Sequence, residues 1–306
     1  MIKIKHTLLL LILILGSCVK SSNTKDEPKN ESQKPNYKKY GSSVDLRLNE
    51  VSGIIESINF SKNFWVHNDS GDFPRIFRVN QQLEVVQEVE LQGITHIDWE
   101  DIAYGNFNDE ASLFIGDIGD NQAIREDIQI YICLEPMQEK NILVPIRSLR
   151  ITYPDGPRDA EALLYDESHN ELVIITKRDP TSRVYTYNLD SSDTGNLEFE
   201  GELQLDEVSK INSDYRYKIT GADAIANRGI IIKNYQEVFL YPLTNSERFA
   251  TTLISVLPDK LEYTPELQGE AIALEIDFKG YWVTSECADD GGVHQPQPLF
   301  YYPFIN

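Results

Sequence analysis

The sequence predicts an all-β protein built as a single β-propeller, and three observations predict it. From Val44 onward, apolar runs of four to six residues rich in Val, Ile, Leu, Tyr and Phe alternate with clusters of Asn, Asp, Gly and Pro. No stretch keeps a helical period for more than about two turns. The runs also recur as a unit of three or four strands over roughly 45–60 residues, the size of a propeller blade.

Each unit opens with a small or acidic residue, one spacer, and then Ile or Leu. The openings are Ser52-Gly53-Ile54, Glu100-Asp101-Ile102, Glu161-Ala162-Leu163, Asp223-Ala224-Ile225 and Glu270-Ala271-Ile272, spaced 48, 61, 62 and 47 residues apart. A second strand ends on polar residues at Asn68-Asp69, Gly116-Asp117, Thr176-Lys177, Lys233-Asn234 and Ser285-Glu286. Third strands carry aromatics: Arg75–Val79, Ile128–Cys133, Arg183–Tyr187, Glu237–Tyr241 and Leu299–Tyr302. Fourth strands are fainter, as in Val85–Leu91, Arg147–Tyr153 and Leu197–Leu205. The last unit is one strand short, and Val44-Asp45-Leu46-Arg47-Leu48 alternates as an outer strand that would close the ring and cover open sheet edges. The count is five blades. A sixth fits if the stretch between Asn188 and Lys218 hides a degenerate unit, and a pair of β-sandwich domains would also explain the strand density, though not the recurrent acidic opening.

The N-terminal residues read as an address and a tether. Lys3 and Lys5 precede the apolar run Leu8–Leu15, which is too short for a permanent bilayer span and reads as a cleaved signal over residues 1–17. Leu15-Gly16-Ser17-Cys18 resembles the lipobox of bacterial lipoproteins, which implies acylation of the Cys18 thiol and a lipid bilayer as partner. The alternative is a plain signal peptide with a chance cysteine. Residues 18–43, rich in Lys, Asn, Ser, Glu and Pro, cannot form a core and read as a flexible polar tether, leaving 44–306 for the propeller. Lys25-Asp26-Glu27 is similar to the acidic surface-export tag of some Bacteroidota lipoproteins. The expected location is the bacterial cell envelope, at the outer membrane, with the membrane face left open.

A formal charge of -21 repels phosphate backbones, so nucleic acid is excluded as a partner and a cation is favoured. Three cysteines are too few for a disulfide framework, and no disulfide is expected between Cys133 and Cys287, which belong to non-adjacent blades. The protein is expected to be a monomer.

In a propeller, the start of each innermost strand and the end of the next lie at the same rim of the central channel. That placement gathers Glu100, Glu161, Asp223 and Glu270 in a ring, with Asp69, Asp117, Asn234, Lys177 and Glu286 just outside it. Like charges in a narrow channel raise one another's pKa unless a cation neutralises them. A hard divalent ion such as Ca²⁺ suits carboxylate and amide oxygens, whereas no His/Cys pair has zinc spacing. Alternatively, each carboxylate accepts hydrogen bonds from backbone N–H groups of the neighbouring blade. The segments Trp65–Asp72 and Gly116–Asn121 read either as ligand loops or as self-bonded turns. Lys177, Arg158 and Arg178 would offset the ring or grip an anionic ligand; His67 and Lys177 are the candidate catalytic groups. No Gly-x-Ser-x-Gly elbow surrounds Ser70.

Trp65–Asp72, Asp98-Trp99-Glu100-Asp101-Ile102-Ala103, Gly116–Asn121, Tyr153–Pro157, Asp159-Ala160-Glu161-Ala162-Leu163 and Thr220-Gly221-Ala222-Asp223 resemble a family of secreted bacterial propellers, mostly uncharacterised. More distantly, the architecture is similar to gluconolactonase and paraoxonase-like propellers and to esterase-like phytases. That resemblance implies a channel Ca²⁺ held by Glu100, Glu161, Asp223 and Glu270 with Asn68 and Asn234, and a lactone, ester or phosphoester as substrate. The expectation is therefore a lipid-anchored propeller that binds a divalent cation and a small polar or anionic ligand through Asp69, Asp117, Arg158, Lys177 and Glu286. A Ca²⁺-dependent hydrolase and a protein-interaction scaffold are the alternatives.

Overall fold

The computed structural model describes residues 36–304 apart from 245, 288, 291–292 and 295–296. Cys18, the signal segment and most of the tether lie outside the described residues. Among those described, strands dominate, and five of the six sheets are arranged as a five-bladed β-propeller, the sixth being a two-stranded ribbon of Asp289–Asp290 and Val293–His294.

Blade 1 runs outward through Val51–Glu56, Asn63–Asn68, Arg75–Asn80 and Val85–Leu91. Blade 2 uses Trp99–Phe107, Glu110–Asp117, Ile128–Leu134 and Arg147–Thr152. Blade 3 uses Ala160–Asp166, Glu171–Thr176, Arg183–Asn188 and Glu198–Glu202, and blade 4 uses Ile219–Ile225, Gly229–Asn234, Val238–Pro242 and the short Asp259–Lys260. Blade 5 contributes Gly269–Leu274, Gly280–Ser285 and Gln297–Pro303.

The strand that completes blade 5 is N-terminal, as expected, but it is Lys38–Ser43 and not Val44–Leu48. Lys38 pairs with Tyr301 and Ser43 with Gln297, while Leu46–Leu48 forms a 3-10 turn capped by Asp45. The propeller thus begins inside the stretch assigned to the tether. Tyr37 packs edge-on against Phe300 with ring centroids 5.0 Å apart, and Tyr40 against Trp282 at 4.9 Å. No sixth blade lies between Asn188 and Lys218. Thr194–Asn196 adds a parallel strand to the outer edge of blade 2, Glu198–Glu202 finishes blade 3, and Leu203 and Leu205 enter the wedge between blades 3 and 4.

Each blade buries both faces, which explains unbroken apolar runs such as Ile230-Ile231-Ile232: alternate residues enter opposite wedges. There is one core cluster per wedge. Trp65, Trp99 and Cys133 fill the wedge between blades 1 and 2; Phe114 and Tyr165 stack at 4.2 Å between blades 2 and 3.

All five innermost strands carry a β-bulge one residue after they start. Pairing jumps over Ser52, Glu100, Glu161, Thr220 and Glu270. A bulge re-aims the skipped residue and is typical of positions next to a site. In blades 1 and 4 the bulged hydroxyl serves the neighbouring blade: Ser52 donates to the Trp99 carbonyl at 3.0 Å and Thr220 to the Gly269 carbonyl at 3.2 Å. A carboxylate cannot make that donation. The bulged glutamates of blades 2, 3 and 5 meet one another at the channel instead.

Candidate functional site

The bulges correct the register in blade 4. The counterpart of Glu100, Glu161 and Glu270 is Thr220, three residues before Asp223. Asp223 sits deeper, its oxygens accepting the N–H groups of Ala224 and of Leu274 in blade 5, each at 2.7 Å. Asp101 does the same across more of the ring: it accepts Ile102 N–H and Leu163 N–H, each at 2.9 Å, and Ala222 N–H at 3.2 Å. The innermost strands have a free backbone edge toward the axis, and these two carboxylates satisfy it. At Asp223 the backbone-bonding alternative is the one realised.

The acidic mouth is an arc of three overlapping groups. Asp69, Asp98 and Glu100 form one, Asp69, Glu270 and Glu286 a second, and Glu100, Asp159 and Glu161 a third. Within each group the carboxylate oxygens lie within 4.8 Å of one another. Two oxygens on one Ca²⁺, at 2.3–2.6 Å from it, lie no more than about 5 Å apart, so each group matches the ion's reach. Glu100, Glu161 and Glu270 come together as expected, joined by Asp69 and Glu286.

Asp98 and Asp159, each two residues before a bulged glutamate, belong to the same arc and were missed as ligands. The signal available was the repeated Asp-x-Glu of Asp98-Trp99-Glu100 and Asp159-Ala160-Glu161. Asp98 is buried, and its Oδ1 has no hydrogen-bond partner. Gly119 is what makes room for this pair: a Cβ there would stand 2.2 Å from Glu100 Oε1 and 2.6 Å from Asp98 Oδ2.

The loop from Gly116 to Asn121 is shaped around an arginine. Arg125 reaches Asp117 Oδ1 at 2.8 Å and the Gly119 carbonyl at 2.7 Å. Asp117 in turn accepts the N–H groups of Ile97 and Asp98 at 3.1 Å each, which fixes the Asp98 backbone. Asp117 therefore positions a ring carboxylate and is itself neutralised. Asp120 N–H bonds Asp159 Oδ1 at 2.8 Å, carrying the arc into blade 3.

Lys177 is the ring's internal cation. Its ammonium bonds Glu161, lies 3.7 Å from Glu270 Oε1, and sits 5.0 Å over the Tyr235 ring; Tyr235 donates to Glu270 Oε1 at 2.8 Å. Burial alone would lower the Lys177 pKa, but the surrounding carboxylates, Glu161 first, outweigh it and hold the ammonium charged. Arg178 lies 2.6 Å from Asp159.

The remaining carboxylates are raised. Burial pushes Asp69 up to about 7, helped by the charges of Asp98 and Glu270. Burial and then Glu270 push Glu286 up to about 9. Glu100 is raised well above the usual range by burial and then by Glu161, Asp69 and Asp98; Asp98 is raised by burial and Asp159.

Other expected members lie elsewhere. Asn68 donates to the Arg47 carbonyl and to Asp72, each at 2.7 Å. Asn234 shapes a turn, accepting Gln236 N–H at 2.8 Å and Glu237 N–H at 2.7 Å. Arg158 is held by Asp155 at 2.9 Å and Asp179 at 2.5 Å, away from the ring. His67 is fully buried in the wedge between blades 1 and 2, edge-on to Trp99 at 5.6 Å, and burial lowers its pKa to about 4. Asn68 and Asn234 thus fall outside the carboxylate arc, and so do Asp117, Arg158 and His67.

No family model and no curated protein matches the chain by sequence. Among solved structures, the chain is similar to the major Malassezia sympodialis allergen Mala s 1, with a TM-score of 0.57 at 10% identity over 87% of this chain and 96% of that one. A chain of a nidogen/laminin complex aligns at a TM-score of 0.43 and 11% identity, over 77% of this chain and 72% of that one. The Dos1 propeller aligns at 0.38 and 9% identity, over 77% of this chain and 53% of that one. At 10% identity, the likeness to Mala s 1 extends to the fold alone.

Proposed function

We propose that this protein is a cell-envelope binding protein, tethered through an acylated Cys18, that holds a divalent cation at the acidic mouth of its propeller. Ca²⁺ is the ion the donor set suits, since every group is a hard carboxylate oxygen and neither histidine nor cysteine is among the gathered ligands. The carrying observation is the Asp69–Asp98–Glu100 group. Its oxygens converge within one ion's reach, Asp98 Oδ1 is buried without a partner, and among the described residues Asp69, Asp98 and Glu100 are in no ion pair, the nearby Arg125 being paired with Asp117. A buried carboxylate oxygen with nothing to bond is costly, and an ion removes that cost.

A bound ion with open positions facing the channel would recruit a small polar or anionic ligand. The hydrolase alternative is less well supported. His67 is walled off beside Trp99, and Lys177 is committed to two glutamates, so neither candidate catalytic group stands ready as a base.

The test is Ca²⁺-dependent stabilisation together with metal analysis of protein that retains Asn36 onward, because Tyr37 and Lys38–Ser43 belong to blade 5. Ca²⁺ is expected to raise Tm in the wild type and not in Asp98→Asn or Glu100→Gln. Unchanged Tm across Ca²⁺, Mg²⁺ and Mn²⁺ would leave the scaffold role alone standing.

A further inference from the structure

The other end of the channel, where the innermost strands finish, encloses a cavity of about 230 Å³ with a different chemistry. Tyr104, Tyr165 and Phe249 supply aromatic walls, and Ile58 and Ile276 stand half-exposed at its rim. The walls are preformed. Tyr165 is stacked on Phe114 and donates to Asn170 Oδ1 at 3.0 Å, and its ring fills the space at Gly105, where a Cβ would lie 2.4 Å away.

Three carboxylates face this apolar cavity: Glu56, Glu167 and Asp223. No lysine or arginine lines it, and none of the three is in an ion pair among the described residues. Glu56 accepts only the Ile276 N–H at 3.0 Å, which leaves its second oxygen available, and Glu167 is exposed and bonded to Asn106 at 2.9 Å. Unlike the acidic mouth, these carboxylates are not gathered within one metal ion's reach among the described residues.

We propose that this mouth is a second binding site, independent of the first, for a small organic monocation: a protonated amine on an aromatic or short aliphatic body. The body would replace water against the apolar wall, the ammonium would bond Glu56 and face Glu167, and the tyrosine rings offer it their negative faces. The cavity is smaller than the roughly 300–1,000 Å³ of drug-sized sites, which limits the occupant to a small molecule.

Calorimetry with three probes tests this: phenethylamine, the neutral 2-phenylethanol and the anionic 3-phenylpropanoate. Phenethylamine is expected to bind at least tenfold more tightly than the alcohol, and the anion not to bind. Glu56→Gln and Glu167→Gln should each weaken the amine several-fold and leave the alcohol unchanged. Glu167→Gln keeps an acceptor for Asn106 at an exposed position, so it separates loss of charge from loss of fold. Equal binding of amine and alcohol, an amine affinity untouched by both variants, or no amine binding at all would each overturn the proposal.

Discussion

Asp101 and Asp223 at the waist of the channel, and Asp98 and Glu100 at its acidic mouth, are carboxylates on neighbouring strand positions, all buried. At the waist the oxygens are used up by backbone: Asp101 accepts three N–H groups from blades 2, 3 and 4, and Asp223 accepts two, from blades 4 and 5. At the mouth the bulge turns the side chain away from the free edge, and the neighbours of a carboxylate are other carboxylates. The same residue type therefore plays opposite parts. Waist carboxylates close the ring, whereas mouth carboxylates crowd one another.

The largest break in this comparison is Asp101→Ala. It strands the Leu163 and Ala222 N–H groups in the interior, at about 1–3 kcal/mol each, so a loss of about 4 kcal/mol is expected. For a domain of this size that is about 8 °C in Tm by calorimetry. The Ca²⁺-induced shift should survive, because the mouth is untouched. If the stability is unchanged, the waist carboxylates do not hold the blades together.

Lys177→Met comes next. Removing one partner of a buried pair costs about 3 kcal/mol, and Glu161 and Glu270 lose their shared ammonium. The distinguishing result is recovery: Ca²⁺ should restore most of the loss, and metal analysis should find more bound ion than in the wild type, because the Glu100–Asp159–Glu161 group is freed. Loss without recovery would make Lys177 an ordinary structural lysine.

Asp98→Asn and Glu100→Gln should invert the sign seen at Asp101. Each relieves repulsion, so the cation-free protein keeps or gains stability. What disappears is the Ca²⁺ stabilisation, about 2.7 kcal/mol in the wild type at a hundredfold excess over Kd. A fall in cation-free Tm for these variants would put the mouth in the same structural class as the waist.

The blade plan was legible because both faces of each blade are buried and each unit restarts with the same short pattern. The register of blade 4 was not. Asp223-Ala224-Ile225 fits the acidic opening followed by Ile or Leu, whereas the bulged triplet Thr220-Gly221-Ala222 has Ala at its third position, so the pattern selects the wrong triplet. The bulge at Thr220 and its hydrogen bond to the Gly269 carbonyl are what separate them. Asp101 looked like a spacer because its partners lie 62 and 121 residues away. The closing strand Lys38–Ser43 escaped notice for another reason: an outermost strand needs few apolar residues, so Lys, Gly and Ser there resemble a linker, with Tyr37 and Tyr40 the only cue.

The smallest and most specific effect is on pH dependence. Asp69 sits at about 7 and Glu286 at about 9 in the folded protein, against ordinary values of 3.8 and 4.5. Asp223 at the waist is also raised, to about 7, chiefly by burial. Between the unfolded and folded values the native state binds more protons than the unfolded one, so stability falls as pH rises. In cation-free protein Tm should therefore decline by several degrees from pH 5 to 9. The later part of the decline, above about pH 7, belongs to Glu286, and Glu286→Gln should flatten it. Saturating Ca²⁺ should remove the share due to the mouth, because the ion stabilises the ionised form of Asp69 and its neighbours. It should leave the share due to Asp223, which lies outside the carboxylate groups of the mouth and whose oxygens accept backbone N–H groups. Thermal scans with EDTA and with Ca²⁺ across that range separate the two. A cation-free Tm that climbs with pH over the same interval would mean that the mouth carboxylates are already neutralised within the protein, and the distinction between mouth and waist would collapse.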